Sequence, residues 1–190
     1  MNQISSKTTN EDQGQPREGY IQVYTGEGKG KTSAGVGQLI RALGHQLSPY
    51  LITFFKGGER FERGNLTMMK RLEVPFKNFV PVHPSFGEMD PETAYSGCEA
   101  ALRHLSDLFK SEEHYDLILL DEVNVALRDD FLDPGDFLEI LEEKPPWMEM
   151  ILTGRGAPEA VVEVADIVSD IHEVKHVLDQ GVPPRAGFEY

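Results

Sequence analysis

A short apolar run, Tyr20-Ile-Gln-Val-Tyr-Thr25, feeds directly into the glycine-rich stretch Gly26-Glu-Gly-Lys-Gly-Lys-Thr-Ser33. Few structures satisfy that order of residues. Glycines at 26, 28 and 30 let the backbone curl so that successive N–H groups point at one anion, and a helix beginning near Lys31 adds its positive end. Lys31 is placed to reach terminal phosphates and the Thr32 hydroxyl to ligate Mg²⁺. The spacing departs from G-x-x-x-x-G-K-[ST], because Thr25 stands where the first glycine belongs and Gly26 follows one residue late. The reading is a nucleoside triphosphate site built on a modified phosphate-binding loop.

A second stretch, His114-Tyr-Asp-Leu-Ile-Leu-Leu-Asp-Glu122, has the pattern of a buried strand ending in two carboxylates, the form of a Walker B strand. Asp121 and Glu122 would then face the phosphates. One carboxylate of such a pair holds Mg²⁺, directly or through water, while the second binds metal or orients a nucleophile.

Strand and helix patterns alternate from Gly19 onward. Strand candidates are Tyr20–Thr25, Tyr50–Lys56, Phe76–Val80, Leu117–Asp121, Met148–Thr153 and Ile167–Ser169, separated by helical stretches such as Lys31–Leu43 and Glu92–Lys110. The fold class is therefore α/β, a mostly parallel sheet with helices on both faces. Ligands in such sheets bind outside the carboxyl ends of the strands, which puts Gly26 to Thr32, Lys56, Asp121, Glu122 and Arg155 on one rim.

The 190 residues fit one domain. Residues 1–18 are polar with almost nothing apolar, and are read as a flexible tail ahead of a domain spanning 19–190. A net charge of −14, with no dense Lys/Arg run, argues against nucleic acid or anionic membrane as a partner. No apolar run is long enough to span a bilayer and no secretory pattern opens the chain, so the expected location is the cytoplasm. The single Cys98 agrees with a reducing compartment and reads as a small buried helix residue.

Met150-Ile-Leu-Thr-Gly-Arg-Gly156 repeats the strand-then-glycine arrangement, and Arg155 would project onto the nucleotide rim, able to bind phosphate. His172-Glu-Val-Lys-His176 matches H-E-x-x-H, but a β-branched run precedes it and Gly181 and Pro183-Pro184 follow closely, so a zinc-binding helix is not expected. The other histidines, at 45, 83, 104 and 114, are too scattered to suggest a site. Trp147 reads as a packing anchor at a strand entrance.

Taken in order, Thr25 to Thr32, Arg41-Ala-Leu-Gly-His45, Asp121-Glu122, Thr153-Gly-Arg-Gly156, Ala165-Asp-Ile-Val-Ser169, Lys175-His176 and the closing Gly187-Phe-Glu-Tyr190 resemble the ATP:corrinoid adenosyltransferases of the cobalamin pathway. The late glycine is in register for that family. The resemblance implies a RecA-like P-loop NTPase fold and a homodimer. It implies transfer of the 5′-deoxyadenosyl group of ATP to Co(I) of a corrinoid with release of triphosphate, and ATP held with its phosphates reversed along the loop. Matching positions place the nucleotide contacts on Gly26, Glu27, Gly28, Lys29, Gly30, Lys31, Thr32, Ser33, Arg41 and Arg155. Lys31, Thr32 and Glu122 become the catalytic set, with Thr32, Glu122 and Asp121 on Mg²⁺. The implied partners are ATP, the corrinoid and a flavoprotein reductase that supplies electrons.

The chain departs from the family at Val82-His-Pro-Ser-Phe-Gly-Glu-Met-Asp-Pro-Glu92. There the family carries a Phe/Trp pair that helps strip the lower axial ligand of the corrinoid. Only Phe86 can stand in. Two alternatives stay open at this point: a P-loop ATPase or kinase-like enzyme, and a non-catalytic binder of ATP or corrinoid.

Overall fold

A computed structural model describes residues 18–56, 64–87 and 89–189. Its frame is a six-stranded sheet of β1 (Ile21–Thr25), β2 (Pro49–Phe54), β3 (Phe76–Val80), β4 (Leu117–Asp121), β5 (Glu149–Thr153) and β6 (Ile167–Asp170), in the order β3-β2-β4-β5-β1-β6. Every pairing is parallel. All six expected strands form within a residue or two, except that the second stops at Phe54 instead of Lys56. Phe55 takes φ 57°, and that left-handed turn ends the ladder.

The central strands β2, β4 and β5 are apolar on both sides because helices cover both faces. The first helix, α1 (Lys31–Gly44), lies across the middle of one face with α2 (Gly64–Arg71). Here Leu39, Ala42 and Met69 pack on Leu51, Leu117, Leu119 and Ile151. On the other face α3 (Pro91–Lys110), α4 (Val123–Arg128), α5 (Pro134–Glu142) and α6 (Glu159–Val164) bury Cys98, Leu102, Leu105 and Phe137 against Ile52, Ile118, Leu120 and Leu152. Alternation along β4 shows the logic, with Leu117 and Leu119 in one core and Ile118 and Leu120 in the other. Asp90 starts α3 by accepting the Thr93 N–H at 2.9 Å, with Pro91 at the first helical position. Burial pushes the Cys98 thiol up to about 12, so it packs as a small apolar side chain and supplies no thiolate.

The strand order matters for the site. β1 carries the glycine loop, β4 carries Asp121, and β5 runs between them, with Tyr24 level with Thr153 and Thr53 level with Asp121. The carboxyl ends of four strands thus meet on one rim. The expected tail, residues 1–18, lies outside the described residues apart from Glu18. Among the described residues no helix is long and apolar enough to cross a membrane.

Leu39 and Ile40 are neighbours on α1, one fully buried and one half exposed. Leu39→Ala is expected to lower unfolding stability by about 2–5 kcal/mol in urea titrations, whereas Ile40→Ala should stay within about 0.5 kcal/mol of the parent.

Candidate functional site

The glycine loop owes its shape to a neighbour late in the chain. Gly26 has φ 92°, and a Cβ there would lie 2.1 Å from Asp170 Oδ1 and 2.5 Å from the Ile171 carbonyl oxygen. No larger residue fits. The Gly28 N–H donates to the Ile171 carbonyl at 2.7 Å, so the segment leaving β6 forms the back wall of the loop. Gly30, at φ 126°, caps α1, and its carbonyl accepts the Ala34 N–H at 2.7 Å. Lys31 turns back over the loop and donates from Nζ to the carbonyls of Gly26 at 2.7 Å and Gly28 at 2.6 Å. Burial lowers its pKa, with the Arg155 charge adding to the effect. An anion seated in the loop would favour the charged form and counter that lowering.

Asp121 is buried at the end of β4. Its Oδ1 accepts from Thr32 Oγ1 at 2.8 Å and from Thr153 Oγ1 at 2.6 Å. The same Thr153 hydroxyl accepts the Glu122 N–H at 3.1 Å. Glu122 has φ 68° and stands just before α4, a conformation uncommon for a non-glycine residue. That turn places its carboxylate on the rim, where Oε1 meets Lys56 Nζ at 2.8 Å. Thr32, Asp121 and Glu122 therefore form one group of hard oxygen donors, which suits Mg²⁺, an ion held by one or two carboxylates together with phosphate and water.

Arg155 follows β5 and reaches across to the loop, with its Nε 3.2 Å from Glu27 Oε2. It lines the same cleft as Gly28, Lys29, Gly30, Lys31, Thr32, Ser33, Asp121 and Glu122. Arg41 is not brought there. It sits ten residues along α1, about 15 Å of helix rise from Lys31, exposed and bonded to Gln38 at 3.2 Å.

The cleft has a volume of about 850 Å³ and continues toward β2 and β3, where Leu66, Val82, His83 and Phe86 line it. Phe86 is 88% exposed at the end of the short 3₁₀ turn Pro84–Phe86. His83, set aside in the sequence as scattered, holds this turn. Its Nδ1 accepts the Ser85 N–H at 3.1 Å and its Nε2 lies 2.9 Å from Asp129 Oδ2. Its ring packs against Phe55, Phe131 and Phe86. A hydrogen bond from Arg128, with His83 contributing, holds the Asp129 carboxyl below its usual range. No local sequence signal ties His83 to a carboxylate 46 positions away.

The His172–His176 match forms no helix. His176 instead caps the 3₁₀ turn Val177–Gln180 through Nδ1, and no group of three or more His, Cys, Asp or Glu side chains that could hold a metal ion occurs among the described residues. The C-terminal segment returns to the cleft, with Glu189 3.3 Å from Lys29. Hydrogen bonds from Arg185 pull the Glu189 carboxyl down to about 2.

The family described as ATP:corrinoid adenosyltransferase BtuR/CobO/CobP matches residues 17–190. This chain belongs to that family. Relatives include the corrinoid adenosyltransferase of Escherichia coli (strain K12), 31% identical over 178 residues, covering 94% of this chain and 89% of that protein. The corrinoid adenosyltransferase of Sinorhizobium sp is 32% identical over 175 residues, covering 90% and 80% respectively. That named corrinoid adenosyltransferase CobA in Salmonella typhimurium (strain LT2) is 30% identical over 178 residues, covering 94% and 89%. The family transfers the adenosyl group of ATP to a corrinoid, so the protein is a corrinoid adenosyltransferase and an enzyme. Its match spans both the glycine loop and the C-terminal ending.

Thr153 of the adenosyltransferase joins the Asp121 carboxylate to the Glu122 backbone N–H. Thr153→Val removes the donor to buried Asp121 and the acceptor for the Glu122 N–H. It should cost about 1–3 kcal/mol of stability in urea unfolding and weaken ATP binding in calorimetric titration.

Proposed function

We propose that the adenosyltransferase holds ATP by its triphosphate in the loop Gly26 to Ser33 and presents the ribose C5′ to a corrinoid lying toward Phe86. The observation that carries this reading is the continuity of one cleft, which joins Lys31, Thr32, Asp121, Glu122 and Arg155 to Val82, His83 and Phe86. Cobalt as Co(I) is the nucleophile, and its electron pair forms the Co–C bond. The C5′–O5′ bond breaks, its electron pair stays on the oxygen of the departing triphosphate, and no proton moves. No side chain therefore has to act as base or nucleophile. What the protein supplies is orientation and fixed positive charge at the leaving group.

Lys31, the loop N–H groups and Arg155 fit that role. Thr32 and Glu122, with Asp121 behind them, would hold Mg²⁺, which contributes charge neutralisation of the triphosphate. The alternative of a P-loop ATPase places a water beside Glu122, but the cleft continues past Glu122 to Val82 and Phe86, farther than a hydrolytic water requires. We also propose that the enzyme works as a homodimer in the cytoplasm, where a flavoprotein reductase supplies electrons and the thiol of Cys98 stays reduced.

The decisive assay mixes the protein anaerobically with Mg-ATP and chemically reduced Co(I) cobalamin while the cobalamin spectrum and phosphate products are followed together. One adenosylcobalamin per triphosphate is expected. ADP and phosphate without alkylated cobalt would establish the ATPase reading instead. Lys31→Ala should abolish turnover and ATP binding with an unchanged circular dichroism spectrum. Phe86→Ala should keep ATP affinity. It should lose more activity when the assay starts from Co(II) and a reductant than from Co(I), because the exposed ring would act at the step where the axial ligand leaves.

A further inference from the structure

β2 ends at Phe54, and the left-handed turn at Phe55 is fastened by its N–H to the Val80 carbonyl at 2.6 Å. The turn breaks strand alternation: Phe54 and Phe55 both pack toward the α3 face, so Lys56 swings over the carboxyl ends of the strands. Its carbonyl accepts from Asn78 Nδ2 at 3.0 Å, which fixes the backbone. The side chain, 16% exposed, enters the cleft. There Nζ lies 2.8 Å from Glu122 Oε1, 3.2 Å from Thr32 Oγ1 and 3.6 Å from Asp121 Oδ2.

These three residues are the ones that would hold the divalent cation, so the Lys56 ammonium and the cation claim the same oxygens. We infer that Lys56 exchanges with the metal. The cation displaces the ammonium from Thr32, Asp121 and Glu122, and the displaced ammonium moves onto phosphate oxygens of ATP, where it offsets the charge left on O5′ as C5′–O5′ breaks. The inference rests on the metal-site reading above. Like charges repel steeply at a few ångströms inside a cleft, so ammonium and dication cannot share these ligands. A metal ion arriving alone must expel the ammonium from these oxygens and brings no phosphate in exchange. A metal ion arriving with ATP brings acceptors within reach of the flexible four-carbon stem. Lys56 thereby couples metal loading to nucleotide loading. Lys31 does not duplicate this, since its ammonium bonds the loop carbonyls of Gly26 and Gly28 and not the oxygens of Thr32, Asp121 and Glu122.

The test measures Mn²⁺ binding to the full chain by electron paramagnetic resonance, with and without ATP, in the parent and in Lys56→Met, Lys56→Arg and Glu122→Gln. Without ATP, Lys56→Met should bind Mn²⁺ about tenfold or more tighter than the parent, and the gain in Mn²⁺ affinity on adding ATP should shrink about tenfold or more. Lys56→Arg, which keeps the charge, should resemble the parent in both. Single-turnover alkylation of Co(I) cobalamin should slow in Lys56→Met with ATP saturating. Lys56→Gln serves as a second neutral variant should the Met variant misfold. Parental Mn²⁺ affinity and parental coupling in a folded neutral variant overturn the exchange while leaving the metal site intact. Parental Mn²⁺–ATP binding in Glu122→Gln overturns the metal-site reading, and the exchange with it.

Discussion

Asp121 is an acid placed where an acid is costly. A carboxylate at the buried end of a central strand needs fixed partners, and it has two hydroxyls, one from the loop helix and one from β5. Those bonds tie three separate strand–helix junctions to a single oxygen. Thr32 fixes where α1 begins relative to β4. Thr153 fixes β5 and, by accepting the Glu122 N–H, the strained turn that follows β4. The geometry of the rim is therefore set less by the glycine loop than by the carboxylate across from it. The start of the loop helix and the proposed metal ligands share one anchor.

Electrostatics across the cleft follow from this arrangement. Lys31, Lys56, Arg128 and Arg155 face the cleft in a chain of net charge −14. Each is matched in this structure by carbonyls or acids: Lys31 by the loop, Lys56 by Glu122, Arg128 by Asp129 and Arg155 by Glu27. A triphosphate entering such a site meets positive groups that already have partners. Binding is then an exchange of partners more than a capture by bare charge, which favours a ligand of the right shape over any polyanion.

The middle of the sheet was legible in the sequence because β2, β4 and β5 are buried on both faces and read as largely apolar runs bounded by turn residues. The placement of Lys31, Thr32, Asp121 and Glu122 on one cleft was legible because each follows directly from a strand end. Arg41 matched a family position, yet a helix carries it away from the cleft of its own chain. His83 and Lys56 show the opposite limit. The role of His83 depends on Asp129, and the position of Lys56 on a left-handed turn at Phe55, a residue whose type gives no hint of positive φ. The Thr153 bridge is equally silent in sequence, since a threonine at a strand end is common and only strand order places it against Asp121 and the Glu122 N–H.

The sheet order also fixes when the site can exist. β1 is made first, but its two neighbours, β5 and β6, are separated from it by most of the chain, and the wall behind Gly26 and Gly28 comes from Asp170 and Ile171. At about 5–20 residues per second, a ribosome needs on the order of ten seconds to cover the interval between β1 and β5. Throughout that interval the first strand and its glycine loop have no sheet to join. The most recognisable motif in the chain is thus the last part of the sheet to be completed, and the glycine loop cannot take its mature shape until β5, β6 and Ile171 have been made.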